Sequence, residues 1–188
     1  MIQYDYSQPP TGPLTIERHA VTDDLEARIR RLEDRAQISE QVIKYAMGVD
    51  RRDWTMFGDC FTDPVYADFS AGGMPAATVS RDDLVGRIST ALNGFTATQH
   101  ISPNHVIELD PGDPDRAVCY SYMFAQHLLR GSGHGEYYLL RGSYTNHMLR
   151  TPGGWRIERI IQHRSWEYGN KTAVAEAIER SEASHAGW

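Results

Sequence analysis

Residues 23–54 read DDLEARIRRLEDRAQISEQVIKYAMGVDRRDW, and the spacing within them sets the architecture. Leu25, Ile29, Leu32 and Ala36, followed by Val42, Ile43 and Ala46, recur at steps of three and four, which predicts one apolar face of a long helix. Asp23 and Asp24 suit its positive N-terminal end, and Gly48 is its expected stop. Working outward, a second short helix is expected over Asp53 to Phe61, with Trp54, Phe57 and Phe61 on one side. Val65 to Ser70 reads as a strand, Gly72-Gly73-Met74-Pro75 as a turn, and Ser80 as the N-cap of a helix running to about Leu92.

Beyond that point the chain turns strand-rich. Stretches 98–109, 116–130, 136–150 and 154–167 are rich in Val, Ile, Tyr, Thr and Trp. The breaks at Pro111–Pro114, Gly131–Gly133 and Pro152–Gly154 are short enough to join antiparallel neighbours. Residues 171–183 suit a terminal helix. Helices first and long hairpins afterwards predict an α+β fold, a curved antiparallel sheet covered on one face by helices. The expected organisation is an N-terminal arm (1–22), one domain (23–168) and a C-terminal helix or tail (169–188).

With 188 residues, 40% of them hydrophobic and 23% charged, the chain has the composition of one soluble globular domain. The formal charge of −6 speaks against nucleic-acid binding, because the arginines at 28, 30, 31 and 35 are interleaved with Glu26, Glu33 and Asp34. Cys60 and Cys119 are too few for a disulfide framework or zinc knuckle. No apolar run approaches a membrane span of ~20 residues, and no secretion signal opens the chain, so a cytoplasmic location is expected. The eight histidines include no HExxH and no tight pair, so no metal is expected. Gly131-Ser132-Gly133 lacks a following helix and is no nucleotide fingerprint. There is no Gly-x-Ser-x-Gly elbow.

Two residues stand out chemically. Asp50 lies where the long helical pattern ends, and His100 opens a strand. A carboxylate that grips one imidazole nitrogen fixes the tautomer and leaves the other free to move a proton. Read singly, Asp50 is a helix-terminal aspartate and His100 a half-buried strand histidine; only their meeting makes a site. His105 lies an odd step from His100 and faces away in a regular strand, unless Pro103 makes a bulge. Tyr45 precedes the helix end by a turn and reads either as core or as a donor into a pocket. Tyr144 and Asn146 alternate onto one face. Arg159 and Arg164 suit surface ion pairs, and His134 an exposed loop.

Several of these segments also carry a family likeness. The order of elements, with Gly48-Val49-Asp50-Arg51-Arg52, Asp53-Trp54, Thr98-Gln99-His100, and the run from Gly142 through Tyr144-Thr145-Asn146 to Gly154-Trp155, resembles the SnoaL-like branch of the nuclear transport factor two-like superfamily, in particular its scytalone dehydratases and lindane dehydrochlorinases. The resemblance covers about residues 25–168. It implies a cone-shaped α+β barrel, with a strongly bent sheet wrapped around a long helix and a deep apolar pocket. It implies that Asp50 and His100 form a catalytic dyad, that His127 is a second pocket histidine, and that Tyr45 holds a tyrosine position used by the bile-acid 7α-dehydratases. Val49 and Phe69 replace phenols that handle the scytalone carbonyl, so scytalone is not the expected substrate. Val49, Trp54, Phe69, Tyr144 and Asn146 are expected to line the substrate site.

The resulting expectation is a cofactor-independent lyase or isomerase of dehydratase type, acting on a small hydrophobic cyclic or polyketide- or terpenoid-like substrate, with His100, held by Asp50, removing a proton and Tyr45 or His127 hydrogen-bonding the carbonyl or protonating the departing oxygen. A cyclase or epoxide-opening enzyme with the same pocket, and a non-catalytic small-molecule-binding module, are the alternatives. The likeness further implies a homo-oligomer, trimer or dimer.

Overall fold

The computed structural model describes residues 24–185; the expected N-terminal arm lies outside them. Helix α1 (Leu25–Arg51) and the short α2 (Trp54–Gly58) come first, followed by β1 (Phe61–Phe69), a 3-10 turn (Ser70–Gly72), β2 (Met74–Val79) and α3 (Arg81–Asn93). Then come β3 (Ala97–Ile101), β4 (Val106–Leu109), the long strands β5 (Arg116–Leu128), β6 (Tyr137–Thr151) and β7 (Gly154–Gly169), and finally α4 (Ala173–His185). The seven strands form one mixed sheet in the order β2-β1-β7-β6-β5-β3, with β4 also on β5. Only the β1–β7 pair is parallel. The sheet does not close on itself, so the half-barrel keeps an open side that α1, α3 and α4 occupy.

Alternation along β5 shows how the sheet is divided. Ala117, Cys119, Ser121, Met123, Ala125 and His127 are buried, whereas Tyr120, Tyr122 and Phe124 face outward and are exposed. The core spans Ile38, Val42 and Val49 of α1, Phe57, Phe61, Leu84 of α3, and Met148, Trp155, Ile157 and Ile160 of the sheet.

Three expectations are corrected. The apolar stripe read on α1 is its core face only in part: Val42 and Ala46 are buried, but Leu25 and Leu32 are 65% and 69% exposed, and Ile29 and Ile43 are exposed too. The buried face is Asp34, Ile38, Gln41, Val42, Tyr45, Ala46 and Val49. Its acidic member is satisfied: Asp34 accepts from Trp155 Nε1 at 3.1 Å and pairs with Arg150, whose guanidinium lies 4.4 Å from the Trp155 ring centre. Second, α1 runs through Gly48 to Arg51, and the left-handed cap is Arg52 with φ 58°. Gly48 serves close packing instead, since a Cβ there would come within 2.8 Å of the Phe57 nitrogen. Third, the expected turn at Gly72–Pro75 continues directly into β2, and the expected strand 98–109 is two strands, broken at Pro103 and at Asn104 with φ 62°. No helix among the described residues is long and apolar enough to cross a membrane.

Candidate active site

Asp50 sits in the last turn of α1 and faces β3, where Thr98 and His100 alternate inward with Gln99 and Ile101 outward. Its Oδ1 accepts from His100 Nδ1 at 2.7 Å and from Thr98 Oγ1 at 2.9 Å, while Oδ2 accepts the His100 backbone N–H at 2.7 Å. Burial pushes the Asp50 carboxyl up, but the His100 ring, its backbone N–H, its charge and the Thr98 hydroxyl together outweigh that and hold it below the usual carboxylate range. An ionised carboxylate only accepts, so Nδ1 of His100 carries hydrogen, and it is Nε2 that bears the lone pair in the neutral ring. The His100 side chain is nearly buried and borders a cavity.

Behind the dyad stands Arg52. Its Nη1 donates to Thr98 Oγ1 at 2.8 Å and to the Val49 carbonyl at 2.6 Å, and Nη2 donates to the Leu92 carbonyl at 2.9 Å. Guanidinium has no acceptor, so Thr98 Oγ1 must accept from Arg52 and spend its one hydrogen on Asp50. The left-handed backbone at Arg52 thus ends α1 and turns the side chain back along its own helix terminus.

His127, 5% exposed on β5, stands edge-on to His100 with ring centres 5.3 Å apart. Burial and the neighbouring His100 push its pKa down to about 3, against the Tyr138 carbonyl 3.2 Å from Nδ1. The ring is therefore neutral near pH 7, with Nδ1–H donating to Tyr138 and Nε2 an acceptor.

Phenols line the cavity away from the dyad. Tyr45 and Tyr144 hydroxyls lie 3.3 Å apart, and Gln162 Nε2 is 3.4 Å from the Tyr144 oxygen. Burial raises both phenol pKa values, most strongly that of Tyr45, so both keep their protons. Two phenols have two hydrogens and use one in their mutual bond. Whichever donates, one hydrogen remains for an oxygen held in the cavity.

The chamber between these groups has a volume of about 110 Å³. Val49, Phe69, Met74, Ile88, Leu92 and Leu140 give its apolar walls, and among the described residues no lysine, arginine or carboxylate lines it. Tyr45, Val49, Phe69, His100, His127 and Tyr144 thus border one space. Trp54 and Asn146 do not. Trp54 packs on Phe57 with centroids 6.0 Å apart, and Asn146 is buried further along β6 with its Oδ1 unpartnered. Asn146 shares the buried face of Tyr144 on β6, yet neither it nor Trp54 lines the chamber.

Thr98, Arg52 and Gln162 were not singled out by sequence. Thr98 carried a signal, being two residues before His100 on the same strand face; Arg52 and Gln162 carried none, since their roles depend on which partners the fold sets opposite them. His105 bonds Ser39 Oγ at 2.7 Å, away from His100, and Arg164 pairs with Glu167 at 3.1 Å. Arg159 lies over Tyr66, and His134 meets Glu176 at 3.2 Å. Burial pushes the Cys60 and Cys119 thiols up to about 12, so neither is a ready nucleophile. No three His, Cys, Asp or Glu side chains gather as a metal site among the described residues.

A bent, unclosed α+β half-barrel around a long helix, with an uncharged chamber at its open side, defines a pocket protein of the nuclear transport factor two-like superfamily. The chain belongs to the SnoaL-like domain family, which it matches over residues 30–161. An uncharacterized protein of Mycobacterium tuberculosis (strain ATCC 25618 / H37Rv) is 26% identical over 152 residues, covering 79% of this chain and 97% of the relative. The structure of the Kfla4162 protein of Kribbella flavida superposes with a TM-score of 0.71 at 30% identity, over 77% of this chain and 99% of that one. A Novosphingobium aromaticivorans structure named after scytalone dehydratase gives 0.66 at 18% identity, over 76% and 91%. A hexachlorocyclohexane dehydrochlorinase (LinA) Type2 gives 0.64 at 19%, over 76% and 92%. At that identity the last two show a shared fold.

Proposed function

We propose that the chain is a cofactor-independent lyase that eliminates water from a small, neutral, mostly apolar cyclic substrate. The observation that carries this reading is the Asp50 carboxylate bound to His100 Nδ1 at 2.7 Å, which leaves Nε2 as a base bordering an uncharged chamber. Fold relatives named for a dehydratase and a dehydrochlorinase make elimination the favoured reaction class.

The substrate carbonyl accepts the phenol hydrogen left over from the Tyr45–Tyr144 pair, which acidifies the adjacent C–H. His100 Nε2 takes that proton as the C–H bond breaks, and Asp50 stabilises the imidazolium. The electron pair forms the alkene as the β C–O bond breaks, and the imidazolium returns its proton to the departing hydroxyl. Water leaves and His100 is restored. Neutral His127 has only an acceptor at Nε2, so it can hold the departing hydroxyl by its hydrogen but cannot protonate it. General acid–base help of this kind contributes about 10²–10⁴-fold.

The test is deuterium exchange and loss of 18 daltons on a panel of cyclic β-hydroxy ketones, read by mass spectrometry. Wild type is compared with Asp50→Asn and His100→Ala. A loss of turnover of about 10²–10⁴-fold in both variants is expected. Turnover that survives both removes the proposal.

A further inference from the structure

The chamber beside the dyad is small for the substrates its fold relatives suggest, and part of its wall is shared with a larger cavity. Gly72, Met74, Ala91 and Val174 border both it and a second, larger cavity of about 720 Å³. That outer groove runs between the Gly72–Pro75 segment, α3 and α4, past Thr90 and Ile178. Since a dry cavity of roughly 150 Å³ holds a benzene ring, the inner 110 Å³ leaves no room for anything beyond one small ring.

We infer that the outer groove is a subsite for an apolar tail, so that the substrate is a neutral ring carrying an alkyl or prenyl chain. This rests on the inner chamber being where the ring reacts. The walls near the junction are apolar: Met74, Pro75, Val174 and Ile178. Asp82, Asp83 and Arg87, on the exposed face of α3, line its other part.

A second observation concerns Gly86. It lies inside α3, where glycine is among the poorest helix formers, and its φ is not in the left-handed region. A Cβ built there meets nothing within 4 Å. No contact among the described residues requires a glycine, and the open space beside it borders the groove. The opposite wall is held rigidly. Ala177 of α4 packs on Gly94 so closely that a Cβ at Gly94 would come within 1.9 Å of the Ala177 oxygen. Asn170 Nδ2 donates to Ser132 Oγ, the Gly135 carbonyl and Glu176 Oε1, fixing the start of the same helix. Val174 and Ile178 are therefore fixed in place as the groove's outer wall. Helix α4 lies beyond the family match, which ends at residue 161.

The experiment uses the full chain and a series of probes, cyclohexanone and its 4-ethyl, 4-butyl and 4-hexyl derivatives. Affinity is measured by calorimetry, and the His100 and His127 ring signals are followed by NMR. In wild type the affinity should rise by up to fourfold for each methylene that leaves water, at least tenfold from parent to hexyl. Gly86→Leu fills the groove with a better helix former and should abolish that rise while leaving cyclohexanone affinity unchanged. Ile178→Asp should do the same from the other wall. A flat series in wild type, as when another part of the chain or a second copy covers the groove, overturns the inference, and so does a rise that survives both variants. If cyclohexanone shifts neither histidine, the ring does not enter the inner chamber, and the reading beneath this one falls with it.

Discussion

Asp50 receives hydrogen from Thr98, from the His100 ring and from the His100 backbone, and each donor can be removed or kept by a single change. Thr98→Val deletes one donor and leaves Arg52 Nη1 facing a methyl group. A hydrogen bond to a charged group is worth about 1.5–3 kcal/mol. We therefore expect the Asp50 pKa to rise and turnover to fall about 10- to 100-fold, with Thr98→Ser close to wild type. ¹⁵N NMR of the His100 ring separates an effect on the dyad from simple loss of fold. His127 gives a second expectation at this scale. Its pKa is about 3 in the folded chain against 6.5 for the free group. Below pH 6.5 the unfolded chain binds a proton that the folded chain refuses, so stability falls as pH drops towards 3, by up to ~1.4 kcal/mol per pH unit. Asp34 and Asp50, both held below 3.8, lose their contribution in the same direction at still lower pH. His127→Phe should flatten the slope of stability between pH 6.5 and 4 in urea unfolding. An unchanged slope would assign the acid sensitivity elsewhere. Sequence could suggest Asp50 and His100 because each residue type announces its chemistry. Arg52, Gln162 and Gly86 announce nothing, since a cation, an amide and a missing side chain acquire meaning only from what faces them.

The elements themselves were legible where their period was clean. The three long strands and the start of α3 at Ser80, whose Oγ accepts from the Asp83 N–H at 3.1 Å, follow directly from alternation and capping. Legibility failed where polar residues occupy core positions or breakers occupy edges. Asp34 and Gln41 lie on the buried face of α1, and a hydrophobic period passes over them to the exposed Leu25–Ile29–Leu32 stripe. Pro75 and the preceding glycines masked β2, which tolerates a proline because it is an edge strand. The α3–α4 junction gives a prediction proper to elements. Gly94→Ala would drive a methyl into the Ala177 carbonyl. We expect it to cost about 1–3 kcal/mol, with amide exchange rising first along α4 while β5–β7 stay protected. Uniformly raised exchange would mean that α4 is part of the cooperative core rather than a wall added to it.

At the scale of the whole molecule, the sheet's outer face remains to be accounted for. Tyr120, Tyr122 and Phe124 project outward from β5, and the register sets exposed Val106 opposite Tyr120 and exposed Ile101 opposite Phe124. An apolar patch this continuous is characteristic of a contact surface. Strand β5 is paired on both sides, with β6 on one and β3 and β4 on the other, so the available contact is face to face and not strand addition at an edge. Its exposed side chains Tyr120, Tyr122, Phe124, Val106 and Ile101 are apolar or aromatic, with the Arg141 guanidinium 5.0 Å from the Phe124 ring centre, and a surface of that kind can pair with a copy of itself about a symmetry axis. We therefore propose that the chain self-associates through this face. Light scattering after size exclusion should give a multiple of the 21.3 kDa chain mass. Tyr122→Glu with Phe124→Glu should reduce it to the monomer, while Leu32→Glu, on the exposed stripe of α1, leaves it unchanged. The consequence for the site follows from adjacency. Ile101, in the patch, is the neighbour of His100, and β3 is a short edge strand held by β5 and, through Thr98 and His100, by Asp50 and Arg52. Association would hold β3 from outside as Asp50 holds it from within, so the monomeric variant should keep its ligand chamber yet lose rigidity at His100. Faster amide exchange along 97–101 in that variant, with exchange in β6 unchanged, is the expected result; equal exchange in the monomer and the assembly would show that the face joins subunits without supporting the dyad.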